Sequence, residues 1–358
     1  MGNALLSGHQ DIPQIHSKVY GEIREWVPEP ARSHLMGIEP GAPVDQSQSR
    51  QKRASDSRVF AQFLPFFAIR PLYNLTLWQL SHTRLGLLRS AVFISAASYF
   101  LVGLLLISWT QKYANEPISV VLALVTVLTP PITMLGRKAT SDALATLVAF
   151  TALYLLFETP AITAGLVVLL ASIYFRTDFV ALAGPALVVS WLKGKIQLWH
   201  GVVLSILAVG SALAINHFAG DYGIAMLYYR NFVGTPIAPG EMTVHLSFRE
   251  YLSAFRSGIT LFASSDTLPF VLLGIAVFWV SSRARQLLTV TAGYLALHFL
   301  LLPNWQERWF GIFYLSVGVT ASILISQRGS FISATDQSTT NTHAMRFQGV
   351  PNEEAVAS

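Results

Sequence analysis

From Leu85 onward the sequence is a succession of apolar runs, and that pattern limits the fold before any motif is read. Nine runs stand out: 85–109, 117–135, 139–157, 161–175, 179–192, 201–218, 267–281, 286–303 and 309–326. A helix rises about 1.5 Å per residue, so about 20 apolar residues cross a hydrocarbon core of about 30 Å. The first run can do so with tilt. The fourth and fifth are shorter, at 15 and 14 residues, and Arg176-Thr177-Asp178 separates them. A charged break at that depth requires protein or water around it. These two runs read either as half-helices packed inside protein or as spans of a thinned membrane. Composition agrees. The 358 residues are 53% hydrophobic and 12% charged, against about 25% charged in an average globular chain. Mean hydropathy is +0.49. The expected fold class is all-α: a polytopic transmembrane helix bundle with about nine apolar segments.

Three regions follow. Residues 1–84 read as an extracytoplasmic, interfacial loop segment, polar and irregular, with amphipathic pieces and an aromatic stretch from Phe60 to Tyr73. Residues 85–326 form the multi-helix transmembrane domain. Within it, 219–266 is a long outer loop, too long for a simple connector and a functional candidate on that ground. Residues 327–358 form a polar tail expected to be disordered. The N-terminus lacks the features of a signal peptide. With no cysteine, disulfides, thiolate metal sites and thiol nucleophiles are excluded. The net charge of +5 reads as membrane topology and phospholipid contact, with no nucleic-acid partner.

Each helix flips the side of the next loop. One side collects Arg137, Lys138, Arg176, Arg308 and the long loop with Arg230. The other collects Lys112, Lys193, Lys195, Arg283, Arg285 and the tail. With the long loop discounted, the second side is the more basic and is expected to be cytoplasmic. An outer N-terminal segment then needs a preceding helix, and Met1 to Gly8 reads as the end of a first helix lost upstream.

Three clusters on the outer side could carry chemistry. Gly8-His9-Gln10-Asp11 puts a carboxylate at the water boundary, where it is either a general base or a solvated helix cap ahead of Pro13. Gly136-Arg137-Lys138-Ala139-Thr140-Ser141-Asp142 opens an apolar run with two cations and one carboxylate. It reads equally as helix-end electrostatics and as a site. Arg176 and Asp178 repeat that unit, as a local pair or as a functional one. Pro303-Asn304-Trp305-Gln306-Glu307-Arg308-Trp309-Phe310 offers Arg308 as a phosphate grip, or an aromatic belt at the headgroups with an anchoring Arg. The histidines are dispersed, which argues against a His metal site. Asn74-Leu75-Thr76 matches a glycosylation sequon by pattern only.

The order of these pieces resembles the GT-C fold of integral-membrane glycosyltransferases, near the bacterial mannosyltransferase-like and aminoarabinose transferase-like members. It runs from an acidic residue in a first outer loop to Arg70-Pro71-Leu72-Tyr73, then Ser141-Asp142. Arg176-x-Asp178 and Glu307-Arg308-Trp309-Phe310 complete it. The resemblance spans roughly residues 8–326. It implies transfer of a sugar from a polyprenyl-phosphate donor to an acceptor hydroxyl at the outer face of a bacterial inner or plasma membrane. Carried across, Asp11 is the catalytic base and Arg308 binds the donor phosphate; Arg137 and Lys138, which no family motif covers, are neighbours expected to assist in binding it. Asp142, Arg176 and Asp178 support them. Polyprenyl-phosphate-linked sugar and membrane lipids are the implied partners, and a divalent metal stays open as a cofactor. Gln10 stands where the family has a second acidic residue, and no C-terminal soluble domain follows. The rival expectation is a non-enzymatic transporter or lipid-binding scaffold. A transporter is expected to show two related halves, and none is evident.

Overall fold

The computed structural model describes residues 11–327 apart from Asp266 and Asn304. The expected end of a lost first helix, at residues 1–8, and the tail beyond Gln327 lie outside the described residues. The regular structure is all helical, with no strand among the described residues.

The segment expected to be irregular is a run of short helices: α1 Ile12–Trp26, α2 Glu29–Met36, α3 Val44–Ser55, α4 Ser57–Phe63, α5 Pro65–Ala68 and α6 Pro71–Ser81. Its prolines, which suggest irregularity in the sequence, are helix starters instead. α1, α2, α5 and α6 each carry Pro in the first turn, where the missing N–H is no loss. α2 ends on Gly37 in the left-handed region, at φ 75°. A Cβ there would stand 2.5 Å from the Ser47 carbonyl oxygen, so only glycine lets α2 turn back onto α3. Ile15 and Tyr20 of α1 bury against Ala54 and Phe60.

The apolar body follows: α7 Gly86–Thr110, α8 Glu116–Val127, α9 Pro130–Arg137, α10 Asp142–Glu158, α11 Ile162–Phe175, α12 Val180–Leu192 and α13 Leu198–Phe218. Next come α14 Gly223–Tyr228, α15 Phe248–Ala263, α16 Thr267–Val280, α17 Ser282–Leu301 and α18 Arg308–Gln327, which opens in a 3-10 turn. Three of these are long and apolar enough to cross a membrane: α7, α13 and α18. The number is up to five if the bent pairs α8/α9 and α15/α16 each count as one span. All nine apolar runs of the sequence are helical, but most are too short or too broken to count as spans on length and composition. Between α8 and α9 the axis bends by 71°. Pro130 and Pro131 cause it, since neither can donate to the preceding turn and Pro130 pushes Thr129 into extended conformation, at ψ 146°.

One face of α7 is buried and small, with Ser90, Ala91, Ser95 and Ser98 followed by Val102, Leu106 and Trp109. Its other face exposes Val92, Phe93, Phe100, Leu101 and Leu104. α13 likewise exposes Ile206, Leu207 and Leu213. Apolar faces this broad suit lipid rather than water. α10 packs against α7 and α11, and α12 against α13 and α17. Trp109, Phe150, Leu153 and Leu156 lie in one buried cluster with Phe179, Tyr294, Phe310 and Tyr314. Gly165 lets α11 approach α10, since a Cβ there would meet Leu156 Cγ at 2.8 Å. Trp305, read as a headgroup anchor, is buried instead. Its Nε1 donates to Thr267 Oγ1 at 3.0 Å and its ring stacks on Phe310. The sequon residue Asn74 is buried too, donating to the Phe67 carbonyl at 2.9 Å.

Candidate functional site

Three chain breaks meet at one end of the bundle, and each delivers at least one charged side chain. Asp142 stands in the first turn of α10, where the helix dipole favours a carboxylate. Arg176 ends α11 in an extended conformation, and a 3-10 turn, Thr177–Phe179, carries Asp178 into α12. His298 lies in the last turn of α17, and Arg308 at the start of α18. The charged break between the two short helices is thus packed inside protein, the first of the two readings open in the sequence.

These groups form one continuous chain of ion pairs. Arg308 Nη1 reaches Asp142 Oδ2 at 3.1 Å, and Arg176 Nη1 reaches Asp142 Oδ1 at 3.2 Å. Arg176 Nε donates to Asp178 Oδ1 at 2.9 Å, and its Nη2 pairs with Asp178 Oδ2. His298 Nε2 meets the same Oδ2 at 3.0 Å. Thr140 Oγ1 donates to Asp142 Oδ2 at 2.9 Å, and Gln306 Oε1 accepts from Arg308 Nη2 at 3.1 Å. Asp142, Arg176 and His298 are buried. Asp178 and Arg308 keep 22% and 20% of their side chains exposed. Buried charges persist only when paired and hydrogen-bonded on this scale. Two arginines balance two carboxylates, so this chain is a self-satisfied frame.

The frame forms one wall of a cavity of about 310 Å³. Arg176, Asp178, His298 and Arg308 line it, together with Trp309 and two further arginines, Arg70 and Arg230. Neither of these two makes an ion pair or side-chain hydrogen bond among the described residues. Local sequence explains both positions. Pro71 starts α6 and forces Arg70 out of helical conformation, at φ −131° and ψ 61°. Arg230 sits on a π-helical turn, Tyr229–Val233, that extends α14. Such turns are rare and recur at functional sites. Its guanidinium lies 4.5 Å from the centre of the Phe66 ring. Burial, then the neighbouring Arg53 and Arg70, push the Arg230 pKa down to about 10. Burial also lowers Arg70, with Asp142 opposing. Both are cations without an ion-pair partner among the described residues.

A second, apolar cleft of about 400 Å³ lies beside the cavity. Val19, Ile23, Leu77, Leu87 and Ala91 line it, with Tyr73, Thr140 and Ser141 among its few polar groups. The Ser141 hydroxyl is buried there with no hydrogen-bond partner. Arg70 lines both the cleft and the cavity.

Of the residues singled out in the sequence, Asp142, Arg176, Asp178 and Arg308 converge. Lys138 is the exposed residue following α9. Its pKa is lowered by partial desolvation and then by Arg308, with Asp142 opposing, and it stands two residues before Thr140, whose hydroxyl donates to Asp142. Arg137, the last residue of α9, is exposed and lines neither space. Asp11 is the exposed N-cap of α1, makes no side-chain cap bond, and also lines neither space. Three lining residues escaped the sequence reading as site residues: Arg70, Arg230 and His298. The signals were an Arg-Pro step and a loop too long for a connector. His298 gave none, being one polar residue in an apolar helix. No group of three or more His, Asp or Glu side chains that could hold a metal occurs among the described residues. No family model, curated protein or solved structure matches the chain.

Proposed function

We propose that this protein is a membrane glycosyltransferase that moves a sugar from a polyprenyl-phosphate donor to an acceptor hydroxyl. One observation carries the reading: Arg70 joins an apolar cleft to a cavity with more arginines than carboxylates. An amphiphile with a long apolar tail and an anionic head fits that junction. The tail lies along Val19, Leu77 and Leu87, and the phosphate meets Arg70 and Arg230. In this reading Arg308 frames the phosphate site through Asp142, rather than serving as its main grip.

The acceptor oxygen attacks the anomeric carbon while the bond from that carbon to the phosphate oxygen breaks. The electron pair stays on the phosphate, and the acceptor proton passes to a carboxylate. Asp178 is the one carboxylate among the described residues that lines the cavity, and we assign it the base role that the family resemblance gives to Asp11. Arginines already in place around developing phosphate charge supply the larger catalytic effect. The reading sets the cavity at the outer face, with the lysines of the opposite bundle end in the cytoplasm.

The test is a vesicle assay with a short-chain prenyl phosphoryl hexose, following release of prenyl phosphate. Release that disappears in Arg70→Gln and Arg230→Gln supports the proposal. Asp178 is already engaged by Arg176 and His298, and that observation favours a second reading, a lipid-phosphate-binding protein without chemistry. Binding of the donor with no release would select it.

A further inference from the structure

Charge inside the cavity does not balance, and the excess can be counted. The chain Arg308–Asp142–Arg176–Asp178 holds two guanidinium groups and two carboxylates. His298 bonds Asp178 through Nε2, while its Nδ1 is buried with no partner among the described residues. An imidazolium would leave an unsatisfied N–H at that atom, so the geometry fits the neutral Nε2–H tautomer. The chain is therefore neutral as a whole. Arg70 and Arg230 line the same cavity without a carboxylate partner among the described residues, and arginine stays protonated in proteins. The frame, with Asp142 behind the wall, and these two arginines together thus carry two positive charges in excess. Arg53, near Arg230, and Lys138, near Arg308, stand outside it and add to the same field.

We infer that the cavity is charge-matched to a phosphate dianion, and so holds the lipid phosphomonoester left after transfer more tightly than the phosphodiester donor. The inference rests on the transferase reading above. In the donor the phosphate is a diester with one negative charge. Once the bond to the sugar breaks, the retained electron pair makes it a monoester with two charges, and the acceptor proton, taken first by Asp178, passes on to water, which restores the Asp178 carboxylate and the excess of two. A site with two charges in excess is complementary to the second state rather than the first. It favours charge as it develops and then retains the product. Release of the lipid phosphate limits turnover, and free lipid phosphate inhibits.

Calorimetric titration of the full chain in lipid nanodiscs tests this, with farnesyl phosphate and its methyl diester as probes. At about pH 8 the monoester is a dianion, its second pKa being about 6. The monoester is expected to bind about tenfold more tightly or better, the scale of one added charge-assisted hydrogen bond. Arg230→Gln and Arg70→Gln are each expected to bring the ratio toward one. Inorganic phosphate, a dianion without a tail, is expected to compete weakly, and equal potency would overturn assignment to a lipid phosphate. Equal affinity for monoester and diester in the unaltered protein would overturn the charge match while leaving a lipid-phosphate site standing. Binding of neither would overturn the transferase reading itself.

Discussion

The two ends of α10 are both charged, and they use charge differently. At its start Asp142 sits under Arg176 and Arg308. At its end Lys112 Nζ donates to the Glu158 carbonyl at 3.1 Å, Lys195 donates to the Leu156 carbonyl, and Tyr113 donates to Glu158 Oε1 at 2.6 Å. Both ends complement the helix dipole, with acid at the N-terminus and cations on the last carbonyls. The lysine end stops there. Its cations are taken up by backbone oxygens and by the Tyr154 and Phe157 rings. The arginine end goes further, adding Arg70 and Arg230 around a cavity where neither forms an ion pair among the described residues. Structural electrostatics saturates locally, whereas a binding site leaves charge for the ligand.

That contrast is broken most sharply by activity. Asp178→Asn is expected to lower prenyl-phosphate release by about 10²–10⁴, the usual loss for a positioned base. Asp11→Asn is expected to leave it unchanged. The reverse result would return the base role to Asp11. Arg70→Gln and Arg230→Gln are each expected to cost about 10²–10³ in rate, the loss for one preorganised donor at developing charge. Their thermal unfolding in detergent is expected to stay close to that of the unaltered protein, since neither side chain has an ion-pair partner to orphan among the described residues and Arg230 gives up only its contact with the Phe66 ring. A rate loss matched by a fall in unfolding temperature would make them structural.

Arg176 separates frame from site in the opposite sense. Arg176→Ala leaves Asp142 and Asp178 without their shared guanidinium. Breaking a buried pair on one side costs about 3–5 kcal/mol. The expected outcome is a large drop in stability, or failure to accumulate in the membrane. Normal stability with lost release would move Arg176 from the frame to the ligand.

Much of this was legible in the sequence. Apolar runs place the helices, because periodic burial leaves no other reading for a chain so poor in charge. Ser141-Asp142, Arg176-x-Asp178 and Arg308 are visible as charges at the ends of apolar runs, and they do converge. The short N-terminal helices were hidden because proline marks a break and a helix start alike. Arg70 was hidden for the same reason: Pro71 announces a turn but not which cavity the preceding side chain enters. Arg230 depends on a π-helical turn, which has no sequence period of its own. The pairing of His298 with Asp178 is a contact between α17 and the start of α12, set by tertiary packing alone.

The smallest expected effect is at the lysine end, and it tests the contrast from the quiet side. Lys112→Ala removes one bond to the Glu158 carbonyl and one contact with the Tyr154 ring, at 4.6 Å. A cation on the last turn of a helix contributes less than about 1 kcal/mol at an exposed position, so unfolding should shift by only a few degrees and release should not change. Orientation is read in the same experiment. The chain has no cysteine, so a single introduced thiol reports its own position. His245→Cys, in the exposed loop after α13, is expected to react with a membrane-impermeant reagent on intact cells. Gln111→Cys, exposed beside Lys112, is expected to stay protected. Labelling of Gln111→Cys alone would put the arginine cavity inside the cell, where an outer-face transfer is impossible. If Lys112→Ala lost as much activity as Arg230→Gln, the two ends of α10 would be coupled, and charge without a protein partner would no longer distinguish the site from the frame.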